Sequence, residues 1–267
     1  MVRLARMRYF RLLALFFKSN LLMELEYRAN FVAQATLGVL WAGVTFASVT
    51  VFFTQTDTLG GWTYEQALVI VALSVLVEGA IQLLLQPNVD KIIQMVREGT
   101  MDFVLTKPVN SQFLATLRYA RYSGLADMSA GVAIMLWALS RLGYTPEPLA
   151  LAQFAVMLAA SFIIVYSIWL VMATLSFWFV KIDNLTELFR SLFDTARFPV
   201  TTFSGWVRIA LTFVLPVAFM TTFPAEAVLG KLSGATMIAA VTLAASLFAF
   251  SAWFWRRAVL NYSSASS

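Results

Sequence analysis

The sequence predicts an all-α integral membrane protein with six transmembrane helices and both ends in the cytoplasm. Composition is the first reason. Sixty per cent of the 267 residues are hydrophobic, only 12% are charged, and mean hydropathy is +0.78, whereas soluble domains carry about 25% charged residues. The second is length. Six apolar stretches approach or exceed the roughly 20 residues needed to cross about 30 Å of hydrocarbon as helix. The third is charge placement. All but Arg141 and Lys231 of the 19 Lys and Arg residues fall at the two ends or in alternate connections, the bias that retains basic segments in the cytoplasm.

Residues 1–30 come first. Tyr9, Leu12, Leu13 and Phe16 recur at helical spacing, with Arg8, Arg11 and Lys18 opposite. That is the pattern of a helix lying in the interface plane. No small-x-small cleavage site follows the short run 12–17, so a cleavable signal is not expected. Span one, 31–53, has no charge. Span two, 67–85, contains Glu78 and, one turn on, Gln82. Pro87 is expected to end it and Asn88 to cap a short helix whose Val89, Ile92, Ile93 and Val96 share a face, with Gly99 as its stop. Asp90, Lys91, Arg97, Glu98, Asp102, Lys107 and Pro108 complete a polar region over 88–108.

Span three, 125–142, has Asp127 near its cytoplasmic end. Span four, 149–180, is too long for one straight crossing, so tilt or continuation into the cytoplasm is expected. A cytoplasmic amphipathic helix is read over 184–197, with Asn184 and Glu187 as a capping box. Span five, 209–223, is short and holds Pro216, and a re-entrant segment is expected after it. Span six is 235–255. Barrel strands are excluded, because they alternate apolar with polar over about ten residues. No linker or repeat divides the chain, which reads as one domain.

Catalytic chemistry is poorly provided for. With no Cys and no His, thiolate and imidazole nucleophiles, bases and metal ligands are excluded. Gly230-Lys231-Leu232-Ser233 fails as a phosphate loop, because Leu232 follows the Lys and Ala225 replaces the first Gly. No metal site is expected, and the basic balance reflects topology rather than nucleic acid. Glu78, Gln82 and Asp127 remain as intramembrane polar candidates, for proton relay or for helix packing. A cavity lined by Trp41, Phe46, Phe213 and Phe219 would suit a lipid, amphiphile or hydrophobic peptide, and the same residues equally suit helix packing.

The stretch Val96-Arg97-Glu98-Gly99-Thr100-Met101-Asp102-Phe103-Val104-Leu105-Thr106-Lys107-Pro108-Val109, together with Leu215-Pro216, Phe223-Pro224 and Leu229-Gly230, resembles the permease subunit of ABC transporters of the type-2 exporter class. More narrowly it is similar to the bacterial six-span permeases of about 260 residues that work with a separate ATPase. The resemblance covers nearly the whole chain. It implies a multi-pass protein of the bacterial inner membrane. Two permease chains, identical or sister, would sit on two ABC ATPase subunits, which bind ATP and Mg²⁺. The segment after span two would be the coupling helix, the amino-terminal arm the connecting helix in contact with membrane lipid, and transport would be export. The alternatives are a stand-alone proton-coupled carrier or channel using Glu78 and Asp127, and a membrane enzyme acting on lipid.

Overall fold

The computed structural model describes residues 2–179, 191 and 193–262. Among these there is no strand. The helices are α1 (Val2–Glu26), α2 (Arg28–Phe53), α3 (Tyr64–Arg97), α4 (Asp102–Leu105), α5 (Ser111–Thr116), α6 (Gly124–Leu142), α7 (Pro148–Leu175), α8 (Gly205–Val214), α9 (Ala218–Val228) and α10 (Gly234–Leu260). Five of them, α2, α3, α6, α7 and α10, are long and apolar enough to cross a membrane, and α8 and α9 form a pair bent by 69°. The chain is a multi-pass α-helical membrane protein. The end of the bundle that bears α1 is called the near end below, and the opposite one the far end.

Helix α3 is the axis. Ala67–Leu73 are all buried, because α2, α6 and α9 surround it. Its contact with α6 is backbone to backbone. A Cβ on Gly79 would stand 2.7 Å from the Met128 amide nitrogen, and one on Gly131 2.7 Å from the Ala72 carbonyl. In a bilayer, where lipid tails are as apolar as leucine, such close approach of small residues is what holds helices together. Helices α7 and α10 meet in the same way through Ala160, Ala240 and Ala244.

Two sequence expectations are corrected here. Pro87 does not end the helix of the second span. The helix runs on without a break to Arg97, through a π-helical turn at Ile81–Leu85 in which the Gln86 amide bonds the Ile81 carbonyl. Proline cannot donate to the carbonyl four residues back, here Leu83. The Arg121 amide, from a distant segment, donates to that oxygen instead at 2.8 Å. Asn88 is therefore mid-helix and no cap.

Nor is 209–223 a straight span. The preceding chain lies at the far end, where the Thr201 hydroxyl donates to the Gly60 carbonyl at 2.7 Å and Phe198 packs edge-on against Phe52 at 5.4 Å. The chain after α9 is also at the far end, where Lys231 donates to Gln66 at 3.0 Å and Gly230 approaches the Tyr144 hydroxyl. The bent pair α8–α9 enters and leaves on one side. Arg197 and Arg208 thus lie away from the near end, where the charge pattern had grouped them.

The other spans agree within a few residues, except that α7 stops at Leu175 and turns over 176–178. The expected amphipathic helix 184–197 lies outside the described residues, apart from 191 and 193–197. Helix α1 lays Tyr9, Leu12, Leu13 and Phe16 half-buried and leaves Arg11 and Lys18 exposed, as the spacing predicted. The side chain of Arg8 lies outside the described residues. Phe10, Leu15, Leu21 and Leu22 are exposed, an apolar outer face suited to lipid.

Candidate functional site: the near-end tip and the polar cavity

At the near end, α3 packs Val89, Ile92 and Ile93 into the apolar core and stops in a Schellman motif. Gly99 has φ +68°, the Thr100 amide bonds the Met95 carbonyl at 2.9 Å, and the Gly99 amide bonds that of Val96 at 3.3 Å. Only glycine takes that φ without strain. The chain then folds back through α4. Met101 and Val104, three apart, are buried, which turns Phe103 outward to 72% exposure. Asp90, Lys91, Arg97, Glu98, Lys107 and Pro108 are all exposed as well, and Asp102 is half-buried. Lys91 donates to Gln94 at 2.9 Å and Gln94 to Glu98 at 2.8 Å, a polar ladder along the exposed face.

Asn88, expected in this polar region, does something else. It is 1% exposed. Its amide donates to Leu84 and Tyr119 carbonyls at 2.6 and 2.7 Å, and its oxygen accepts from the Tyr119 amide at 2.9 Å. The segment 118–122 is thereby strapped to α3. Its other edge is strapped to α1. Asn20 donates to the Arg118 carbonyl at 2.8 Å, the Tyr122 amide donates to both Glu24 oxygens at 2.9 and 3.0 Å, and the Tyr122 hydroxyl donates to Phe17 at 2.8 Å. Burial raises the Glu24 carboxyl above the ordinary range, partly offset by the Tyr122 amide and the charge of Arg121. The five residues 118–122 thus join α1 to α3 at the near end.

Above this strap lies a cavity of about 600 Å³ between α2, α3 and the 191–197 segment. Ser74, Glu78, Gln82 and Gln86 line it from α3, every fourth residue of the otherwise apolar stretch 67–87. Gln34, Gly38, Trp41 and Thr45 line it from α2, with Arg121, Asp127, Asp194 and Arg197 completing the charged part. Gln82 donates to Glu78 at 3.2 Å. Of the sequence candidates, Glu78, Gln82, Asp127 and Trp41 are brought together here. Phe46, Phe213 and Phe219 are not. Phe46 packs edge-on against Trp137 at 5.7 Å, Phe213 is 69% exposed on α8, and Phe219 is buried against Phe223 at 4.8 Å. Of the four aromatic candidates only Trp41 lines this cavity, whose wall mixes polar and apolar side chains. The four-residue polar stripe on α3 was the signal for it. Among the described residues no three Asp or Glu side chains converge to hold a metal.

A family model described as ABC-2 family transporter protein matches residues 39–266. The chain belongs to the ABC-2 transporter family. It is thus a membrane permease component of an ABC transporter, and the matched region takes in α3, the tip, the 118–122 segment and the cavity wall other than Gln34, Leu37 and Gly38. No curated protein and no solved structure matches the chain.

Proposed function

We propose that this ABC-2 permease works in an ATP-driven exporter, with its near end in the cytoplasm and its tip docked on an ABC ATPase subunit that binds ATP and Mg²⁺. The observation behind this is Phe103, 72% exposed on α4, just past the Gly99 turn that ends α3, in a stretch whose Arg97, Glu98 and Lys107 are exposed as well. A central aromatic anchor within a polar rim is the usual anatomy of a transient protein interface, and a lone solvated loop has no need of it. ATP-driven movement of the ATPase would be passed along α3 into the bundle, and through the 118–122 strap into α1 at the lipid surface. Helix α2 leaves most of its apolar surface uncovered, room for a second permease chain as well as for lipid. The membrane is the bacterial inner membrane.

The test is co-purification of the tagged protein from its native membrane. A stoichiometric ATPase, lost on Gly99→Pro or Phe103→Ala at unchanged permease expression, supports the proposal. A permease that stays inserted but purifies without any ATPase refutes it. Proline cannot adopt φ +68°, so the first variant dismantles the turn while leaving the charges in place.

A further inference from the structure

The cavity holds a buried carboxyl group that neither packing nor coupling explains. Asp127 is 4% exposed, and its Oδ1 has no hydrogen-bond partner among the described residues. The oxygen sits directly on α2, since a Cβ built on Gly38 would overlap it. A carboxylate stripped of water in this way stays ionised only if a cation meets its other oxygen. Glu78 lines the same cavity and adds a second acidic group. The basic groups of the lining do not meet the unpartnered oxygen of Asp127. Arg121 lies beside Glu24 at the near end, Arg197 stacks on Phe198 at 5.4 Å with its own buried Nε unpartnered, and neither donates to Asp127 Oδ1.

The missing partner is not a bare divalent metal, for which three converging ligands are absent among the described residues. The wall supplies something better suited to an organic ion. Trp41 follows Gly38 by one turn of α2 and lines the same cavity, and an indole face attracts ammonium groups. The volume, about 600 Å³, lies within the range of small-molecule sites, and the amides of Gln34, Gln82 and Gln86 give polar contacts along it. We propose that the cavity binds an organic cation, an amine or quaternary ammonium group, between Asp127, Glu78 and the indole of Trp41. Its status as the transported substrate rests on the permease reading above, while its binding does not.

The experiment is equilibrium binding to the full chain in lipid nanodiscs, without ATP or ATPase. The probes are labelled tetrapropylammonium, labelled dodecyltrimethylammonium, and an uncharged analogue of the latter with carbon in place of nitrogen. Saturable binding of a charged probe is expected, weakened about tenfold or more by Asp127→Asn. Gly38→Ala keeps every charge but drives the carboxyl from its seat, and should weaken binding to a similar degree. Trp41→Ala should weaken it by about three- to tenfold. Binding of the dodecyl probe alone makes the ligand a membrane amphiphile, and binding of both extends the site to soluble amines. Equal binding of the uncharged analogue, no binding of either cation, or parent-like binding by both Asp127→Asn and Gly38→Ala overturns the proposal. A permease that binds the cation yet recruits no ATPase would refute the exporter role alone.

Discussion

Replacing Asn88 with Ala removes the fastening between α3 and the 118–122 strap. Asn88 makes three hydrogen bonds from a fully buried position, two of them to the backbone of Tyr119. The Leu84 carbonyl keeps its place in the helix, so the loss falls on the amide and carbonyl of Tyr119. Each buried backbone group left without a partner costs about 1–3 kcal/mol. The small void left by the amide adds to that, and a water entering it offsets part. The expected loss is about 2–5 kcal/mol, which corresponds to a fall in melting temperature on the order of 5–15 °C at about 2–4 °C per kcal/mol. The assay is thermal unfolding of the full chain in one detergent, followed by tryptophan fluorescence, with Asn88→Asp alongside. Asp keeps an acceptor for the Tyr119 amide but donates nothing to the Tyr119 carbonyl, so it should fall between Ala and the parent or below both. Asn88→Ala melting within about 1 °C of the parent would refute the view that this residue holds the strap.

Three further outcomes are expected. Gly131→Leu, which forces a side chain where a Cβ already lies 2.7 Å from the Ala72 carbonyl, should separate α3 from α6 and abolish a monodisperse peak in size-exclusion chromatography. Overpacking costs about 1–3 kcal/mol or more, and a parent-like profile and melting temperature would contradict the close contact. Phe103→Ala should cut the ATPase recovered with the permease by about tenfold, with Phe103→Tyr recovering it, and equal recovery by both variants would remove Phe103 as the anchor. Glu24 has its folded carboxyl pKa raised, so its favourable contribution is complete below the ordinary carboxylate value and is lost as pH rises through the folded one. Relative to the parent, Glu24→Gln should therefore gain melting temperature between pH 4.5 and 7.5, and a parent that gains on the variant over that range would show the sign to be wrong.

Most of the bundle is legible in the chain because a membrane imposes its length and polarity locally. A run such as 235–255 can satisfy its backbone in hydrocarbon only as helix, whatever surrounds it. The Gly99 stop is legible for a similar reason, since the residue itself supplies the left-handed conformation that the turn requires. Pro87 shows the limit. It reads as a terminator because its ring removes a donor, and the helix continues because Arg121, far along the chain, offers that donor to Leu83. The span expected over 209–223 fails in the same way. Its apolarity is genuine, but whether it crosses depends on where Thr201 and Lys231 anchor its two ends.

The cavity lies between these cases. Its polar stripe, Ser74, Glu78, Gln82 and Gln86, is written at helical spacing, and Asp127 stands out in an apolar helix. What those groups face is not written. Asp127 loses its water only because α2 brings the bare backbone of Gly38 against it. By itself the sequence determined the helical membrane class, the near-end polar tip and the residues that bear charge within the bundle, all consequences of local propensity and transfer free energy. Only tertiary structure decided which amide replaces the one proline lacks, which side the α8–α9 pair returns to, and that a carboxylate, an indole and a glycine from different helices share one cavity. These depend on contacts between residues far apart in the chain, and no local pattern records them.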